Sequence, residues 1–212
     1  SAKDKDGSIG EHGWNKNYPV FTAWDLGKAD AMVVLFFQYF KGKVRIIDII
    51  EKNGSNMVAM AVLIKEKPYV YGHHFLPHDG TVASTNDGVT RLQTLSREGI
   101  TNALTLKRQG VGVGIGYVEE WLPKILINKG TTITEKGSFH RRLRLYKKKF
   151  NPETGNFAGA DHKTQSHIAD ALRYLCTALN IFFNEKGEFI LSLDNDRTEY
   201  ESDIVSVDFV TF

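Results

Sequence analysis

The chain has 212 residues, 42% of them hydrophobic and 25% charged, and 27 basic against 25 acidic side chains give a formal net charge of +2. This is the composition of a globular protein with one domain or at most two. No apolar run approaches the roughly 18 residues that a membrane-spanning helix needs, and the start shows no signal-peptide pattern. The single Cys176 excludes an internal disulfide and a CxxC zinc cluster. We expect a protein that is not secreted.

The charge is unevenly distributed along the chain. Residues 185–212 carry eight acidic and two basic side chains, which leaves a net +8 on the remainder. Residues 140–149 (HRRLRLYKKK) hold six positive charges and no acid, and alternate apolar with basic residues as an exposed strand does. Such a run suits a polyanion such as nucleic acid, although a solvated face or a surface that docks the acidic tail explains it as well.

The first half of the chain predicts three strands followed by a crossover. Residues 1–17 are polar and read as a linker, a segment left by cloning or a frayed start. Three β-prone runs follow, of which the last two flank a tight Lys-Gly-Lys turn, and this pattern predicts an antiparallel meander over 19–24, 31–40 and 44–50. A helix over 57–64 and a strand over 69–75 come next, and the right-handed crossover rule places that fourth strand parallel to an earlier one.

The second half predicts helices. Periodicity and capping residues indicate helices over 88–99, about 112–128 and 164–180. The run Gly110–Gly116 resembles a phosphate cradle but lacks the lysine and the Ser/Thr of a phosphate loop, so we interpret it as a flexible loop leading into a helix. From Gly187 onward we expect a small strand and then weakly ordered chain.

Three aspartates are predicted to converge. Asp25 ends the first strand, and Asp79 follows the fourth strand, which is expected to lie beside the first. Asp170 stands on the last helix, one turn after His167, and a helix packed across that end of the sheet would bring it in. Crowded carboxylates repel, and divalent cations bound through oxygen relieve the repulsion. Singly, each aspartate has an ordinary explanation: a turn at Asp25, an Asp-Gly turn at Asp79, and an ion pair with Arg173 or Lys163 at Asp170.

Three motifs carry a resemblance to a known family. FTAWDLG (21–27), YGHHFLPHDG (71–80) and SHIADALRY (166–174), in this order, resemble the nuclease domain of the large terminase subunit of tailed bacteriophages. The resemblance covers about residues 19–180. It implies an RNase H-like α/β fold, with a mixed central sheet flanked by helices on both faces, and a nuclease that cuts concatemeric double-stranded viral DNA. It implies Asp25, Asp79 and Asp170 as the catalytic acids that hold Mg²⁺ or Mn²⁺, two ions in the two-metal mechanism.

The resemblance also implies partners and domain limits. The family's full-length protein begins with an ATPase domain, but this chain has no GxxxxGK[ST] motif and is most simply an excised C-terminal nuclease domain. The expected division is 1–17 linker, 18–184 nuclease domain and 185–212 acidic tail. The ATPase domain, the small terminase subunit and the portal protein are the implied partners, and the host cytoplasm is the implied location.

Further residues are weaker candidates for the site. His167, His78 and Asp161 are possible auxiliary groups, while helix exposure, turn packing and capping are the ordinary alternatives for them. For Asp48 and Glu51, solvent-facing charge is the ordinary explanation. For DNA contact the candidates are the six cations of the basic run, Arg141, Arg142, Arg144, Lys147, Lys148 and Lys149. Arg91 and Lys107-Arg108 are supplements to that run.

The sequence thus predicts a metal-dependent endodeoxyribonuclease. Two other hypotheses remain open at this point. One is a different RNase H-like nuclease, such as a junction resolvase or an RNA-strand hydrolase. The other is a non-catalytic module that binds DNA through the basic run and docks on a partner such as the portal.

Overall fold

A seven-stranded mixed sheet forms the centre of the protein. The computed structural model describes residues 6–27, 31–84, 88–145, 148–151, 156–160 and 166–190. The strands of the sheet are β1 (Ile9–Gly10), β2 (Val20–Asp25), β3 (Ala31–Phe40), β4 (Lys43–Asn53), β5 (Tyr71–Leu76), β6 (Ala103–Thr105) and β7 (Ile125–Asn128). Their order across the sheet is β1-β7-β4-β3-β2-β5-β6. Strands β2, β3 and β4 form the predicted antiparallel meander, and β5 pairs parallel with β2 as predicted.

Helices cover both faces of this sheet, which confirms the predicted α/β class. They are α1 (Met57–Lys65), α2 (Arg91–Arg97), α3 (Val111–Trp121), α4 (Phe139–Leu145) and α5 (Ser166–Phe182). One buried cluster joins α3, α4 and α5 to one face, and a second joins α1 and α2 to the other. Every residue of β3 is buried because the strand is central and, apart from Gln38, apolar on both faces. None of the helices in the described part of the chain is both long and apolar enough to cross a membrane.

Smaller elements border the sheet. Strands β8 (Ile133–Thr134) and β9 (Gly137–Ser138) form one hairpin, and β10 (Lys148–Asn151) and β11 (Asn156–Ala160) form another. Strand β1 lies within the segment expected to be a linker or a frayed start, and it pairs parallel with β7. The expected domain limits stay predictions. Where a small strand was expected after Gly187, the structure has one isolated β-bridge between Phe183 and Phe189. The weakly ordered chain expected after it falls on residues 191–212, which lie outside the described residues.

Two of the predicted elements are wrong in the region between Gly110 and Ile125. The glycine run is part of helix α3 from Val111 onward and is not a loop. The helix predicted over 112–128 stops at Trp121, and a 3-10 turn leads into β7, which pairs parallel with β4. Pro123 explains the stop, because proline has no N–H to continue the helix and its ring clashes with the preceding turn.

The exposed strand predicted in the basic run is also wrong. Residues 139–145 form helix α4, in which Phe139, His140 and Arg142 are buried. Burial at 139 and 142 follows the helical spacing of three, whereas the alternation of apolar and basic residues had suggested a period of two. The tertiary contact that turns Arg142 inward is therefore what decides the conformation of this segment.

A buried polar network lies beneath the end of β2, on the face covered by α1 and α2. The indole of Trp24 donates to Thr22 Oγ1 at 2.8 Å, and that hydroxyl is hydrogen-bonded to His74 Nδ1 at 2.7 Å. His74 is only 1% exposed, and burial, aided by the nearby His73, lowers its pKa to about 3. The network is structural, because all three side chains are buried and hydrogen-bonded to one another.

The buried His74 is expected to make stability depend on pH. In the unfolded chain its pKa is about 6.5, so below that pH the unfolded state binds a proton that the folded state does not. Stability should fall as the pH drops from 7, by about 2 kcal/mol at pH 5 from this residue alone. Urea unfolding at both pH values measures the change. His74→Asn should flatten the pH dependence even though it weakens the fold, and an unchanged slope would contradict the assignment.

Candidate metal-binding nuclease site

The carboxyl ends of β2 and β5 bring two aspartates together. Asp25 is the last residue of β2, and β5 runs parallel beside it. Pro77 follows β5 and leads into a 3-10 turn, His78–Thr81, that contains Asp79. Because the two strands are parallel neighbours, both aspartates lie at the same edge of the sheet.

Helix α5 brings the third aspartate to this edge. Its first turns pack over β2, so that His167 Nδ1 lies 2.7 Å from Asp25 Oδ2. Asp170 follows one turn later. The three aspartates line one cleft of about 270 Å³, together with His78, His167 and Tyr174 among others. The convergence expected from strand order is therefore present in the structure.

The first motif ends at Gly27, where the backbone conformation requires glycine. Its backbone has a φ of +22°, which L side chains rarely adopt, and a Cβ built there would lie 2.5 Å from the Ala31 carbonyl oxygen. Any other residue at position 27 would therefore be strained and would collide with the backbone of Ala31. Strand β2 ends two residues earlier, at Asp25, and both residues line the cleft.

Each aspartate contacts a cationic or ionisable partner. Besides the contact of Asp25 with His167, Arg91 Nη1 donates to Asp79 Oδ2 at 3.2 Å. Arg173 donates to Asp170 Oδ1 twice, at 3.2 Å from Nε and at 2.8 Å from Nη2. Asp170 thus forms the ion pair with Arg173 that is its ordinary explanation, and it also lines the cleft.

In each of the three aspartates, only one of the two carboxylate oxygens accepts hydrogen bonds from the described residues. All the hydrogen bonds that the structure gives to each carboxylate fall on one oxygen, Oδ2 of Asp25, Oδ2 of Asp79 and Oδ1 of Asp170. Within the described residues, the second oxygen of each has no hydrogen-bond donor. The side chains of Asp25, Asp79 and Asp170 are 13%, 26% and 27% exposed, so each of them reaches solvent.

Electrostatics couples the three groups. Burial raises the pKa of Asp25, and the negative charges of Asp170 and Asp79 raise it further, while the hydrogen bond and charge of His167 oppose the rise. Concentrated negative charge of this kind is stabilised by a cation. Three carboxylates are also the hard oxygen donors that Mg²⁺ and Mn²⁺ prefer.

The carboxylate oxygens of the three aspartates are therefore suitable ligands for a divalent cation, although the three side chains do not already surround one point. Within the described ranges, no three His, Cys, Asp or Glu side chains already form a metal-binding group. Each of the three carboxylates instead contacts its own neighbour, His167, Arg91 or Arg173, through one oxygen.

Two of the three auxiliary candidates lie at the cleft. His167 contacts Asp25, and His78 lines the cleft. Asp161 lies outside the described residues. Sequence reasoning missed that Arg91 is the partner of Asp79: the two are 12 residues apart, and no local pattern signals the contact. The i,i+3 spacing of Asp170 and Arg173 did signal theirs.

The basic run is split by its fold. Arg141 and Arg144 are exposed on α4, whereas Arg142 is 3% exposed and forms an ion pair with Glu51 through both of its terminal nitrogens. The prediction that Glu51 faces solvent is wrong, because its side chain is 2% exposed. Asp48 is also buried, against Lys67 and Tyr69. Lys148 and Lys149 lie in β10, and Lys147 is outside the described residues.

The Glu51–Arg142 pair places α4 near the cleft. Asp25 pairs with Val33 on the next strand, and Val33 pairs with Glu51 on the strand after that. Directly paired residues point to the same face, and two strand spacings amount to about 10 Å. Helix α4 is therefore anchored over the same end and face of the sheet as the aspartates.

Solved structures similar to this fold include those of bacteriophage terminases. The large terminase from the thermophilic bacteriophage D6E in complex with ADP has a TM-score of 0.62 at 15% identity, covering 84% of this chain and 43% of that one. The nuclease domain of the g2p large terminase from bacteriophage SPP1, with bound Mn, has a TM-score of 0.56 at 17% identity and coverages of 78% and 92%. The P22 large terminase nuclease domain has 0.56 at 18%, with 79% and 85%. No family model and no curated protein matches the sequence.

The fold is thus an RNase H-like α/β fold with acidic residues at the carboxyl edge of its sheet. More particularly, it is the fold of large-terminase nuclease domains, and it covers most of this chain. The chain spans less than half the length of the D6E terminase.

Proposed function

We propose that the protein is a metal-dependent endonuclease of viral DNA packaging that cuts concatemeric double-stranded DNA. The observation that carries the proposal is the cleft lined by Asp25, Asp79 and Asp170, each with one oxygen that receives no hydrogen bond from the described residues. The fold shared with terminase nuclease domains, one of them solved with bound Mn, supports it. The family resemblance of the three motifs adds the ATPase domain, the small terminase subunit and the portal protein as proposed partners, and the host cytoplasm as the proposed location.

The aspartates would hold two Mg²⁺ or Mn²⁺ ions, which supply activation of a water and stabilisation of the departing oxygen. The chain's own residues prepare the site for this chemistry. His167 fixes the Asp25 carboxylate through Oδ2 and so directs its other oxygen. Arg91 does the same for Asp79. The half-buried aspartates keep the site polar but partly shielded from water, which strengthens the electrostatic interactions within it.

DNA would reach this cleft along the exposed side of α4. Arg141 and Arg144 face solvent there, near the same end of the sheet as the aspartates, and Lys147, Lys148 and Lys149 follow in the chain. Contacts of arginine and lysine with phosphates supply affinity without sequence preference. Arg142 is the exception, because its guanidinium is occupied by Glu51. Its role in DNA binding would be to hold the helix in place.

Arg141→Ala is expected to weaken binding of duplex DNA to a similar extent for all sequences. Losing one phosphate contact should also reduce the slope of log affinity against log salt by about 1. Fluorescence anisotropy at several salt concentrations measures both quantities. Arg97→Ala is the matched control, since Arg97 is exposed on α2 across the sheet. Equal effects of the two substitutions would show that α4 does not contact DNA.

Cleavage of supercoiled plasmid by the purified chain tests the function itself. With Mg²⁺ or Mn²⁺ we expect nicked and linear products, and with EDTA none. Duplex DNA, a four-way junction and an RNA–DNA hybrid, compared under the same conditions, identify the substrate class. Preference for the junction or the hybrid would replace the packaging nuclease by a resolvase or an RNA-strand hydrolase. Salt-sensitive binding without cleavage at millimolar Mn²⁺ would favour a binding module.

A further inference from the structure

The glycine run of α3 lies against the helix that carries Asp170. Helix α3 begins at Val111 with glycine at 112, 114 and 116. Glycine in a helix interior costs stability, so three alternate glycines require a reason. At 112 and 116 a Cβ would meet no atom within 4 Å, so packing supplies none there.

Gly114 differs from the other two. A Cβ built on it would lie 2.6 Å from Cγ and 2.7 Å from Cδ of Arg173, closer than real Cβ contacts. These atoms belong to the middle of the arginine side chain, and the far end is not free to move. Nε and Nη2 both donate to Asp170 Oδ1, and the guanidinium carbon lies 4.6 Å from the centre of the Tyr174 ring.

Arg173 is thus held on three sides, and its side chain is 14% exposed. Gly114 lets the aliphatic stem pass across α3, the Tyr174 ring bounds the guanidinium, and Asp170 accepts its hydrogen bonds. Nε and Nη2 of Arg173 both donate to Oδ1 of Asp170, so that this oxygen is held against the guanidinium. With Oδ1 engaged, Oδ2 is the oxygen of Asp170 left for the cleft.

We propose that Gly114 and Arg173 form a positioning relay that sets the Asp170 carboxylate for metal binding. The inference rests on the proposed function, since it concerns how one metal ligand is oriented. Neither residue needs to touch the metal or the DNA: Gly114 acts through Arg173, and Arg173 acts through Asp170. Partners that orient a ligand in this way typically contribute about 10- to 100-fold in metal affinity.

Substitution at the three glycines separates this relay from helix propensity. Alanine at any of the three raises intrinsic helix stability. Gly112→Ala and Gly116→Ala should raise the melting temperature and bind Mn²⁺ as the unmodified chain does. Gly114→Ala should push Arg173 aside and weaken Mn²⁺ binding by about 10-fold. Electron paramagnetic resonance of free Mn²⁺, without DNA, measures affinity independently of cleavage.

A double substitution shows whether the effect passes through Arg173. In an Arg173→Ala background the colliding atoms are gone, so Gly114→Ala should then change neither Mn²⁺ affinity nor folding for the worse. If Gly114→Ala binds Mn²⁺ as well as Gly112→Ala does, or weakens binding equally without Arg173, the relay is wrong. If the unmodified chain and Asp170→Asn bind Mn²⁺ equally poorly, the proposed function fails and the relay with it.

Discussion

Asp25→Asn is expected to abolish metal-dependent cleavage of plasmid DNA while the protein stays folded. Asp25 is the least exposed of the three aspartates and sits between strand β2 and helix α5. An amide keeps the shape and can still accept the His167 hydrogen bond, but it removes the negative charge and most of the affinity for a hard cation. The loss in rate should be at least about 100-fold, because even residues that only orient a metal ligand cost 10- to 100-fold.

The same substitution should leave stability unchanged or higher when no metal is present. Burial raises the pKa of Asp25, and its carboxylate neighbours raise it further, so the ionised form costs more in the folded than in the unfolded state. At neutral pH the charge of Asp25 therefore reduces stability, and the neutral amide removes that cost. Circular dichroism melting with EDTA measures it.

The exposed Glu119 on α3 provides the matched control, since Glu119→Gln removes one negative charge outside the cleft. It should cleave as the unmodified chain does. Cleavage by Asp25→Asn at the unmodified rate, with the same metal requirement, would remove Asp25 from the site. Asp79→Asn and Asp170→Asn are expected to behave as Asp25→Asn does.

Arg142→Met is expected to destabilise the fold by about 3 kcal/mol or more, because it leaves the buried carboxylate of Glu51 without its principal partner. Both side chains are at most 4% exposed, and Arg142 donates to both oxygens of Glu51. Burial raises the pKa of Glu51, but the hydrogen bonds from Arg142, Thr134 and Lys136 and the charge of Arg142 together outweigh it, so that the pKa is lowered. This stabilisation is present above the unfolded pKa of about 4.3 and is lost as the pH falls below it.

Urea unfolding measures this effect, and two further variants define its origin. Lys136 contacts the same carboxylate but is 42% exposed, so Lys136→Met should cost less than about 1 kcal/mol. The double variant Glu51→Leu/Arg142→Met removes both charges and should recover most of the lost stability. If Arg142→Met is as stable as Lys136→Met, the pair does not anchor α4.

Much of the fold follows from local patterns. Strands β3 and β4 are rich in β-branched and aromatic residues and are joined by a tight turn, which predicts a hairpin. The long amphipathic pattern of α5 is equally plain. The local pattern of the basic run predicted the wrong structure. Its apolar and basic residues alternate as in a strand, yet Arg142 is buried against Glu51, 91 positions away, and the segment is a helix.

The sequence alone determined the strands of the meander, the parallel fourth strand and the three aspartates at strand and helix positions that could meet. Short-range physics suffices for these, since side-chain period, turn residues and crossover handedness are local or nearly so. Tertiary structure decided how the aspartates are held. The contact of His167 with Asp25 spans 142 positions, and Arg91, Glu51 and Gly114 each lie against side chains from other elements. Such contacts depend on packing between distant segments, which no local pattern encodes.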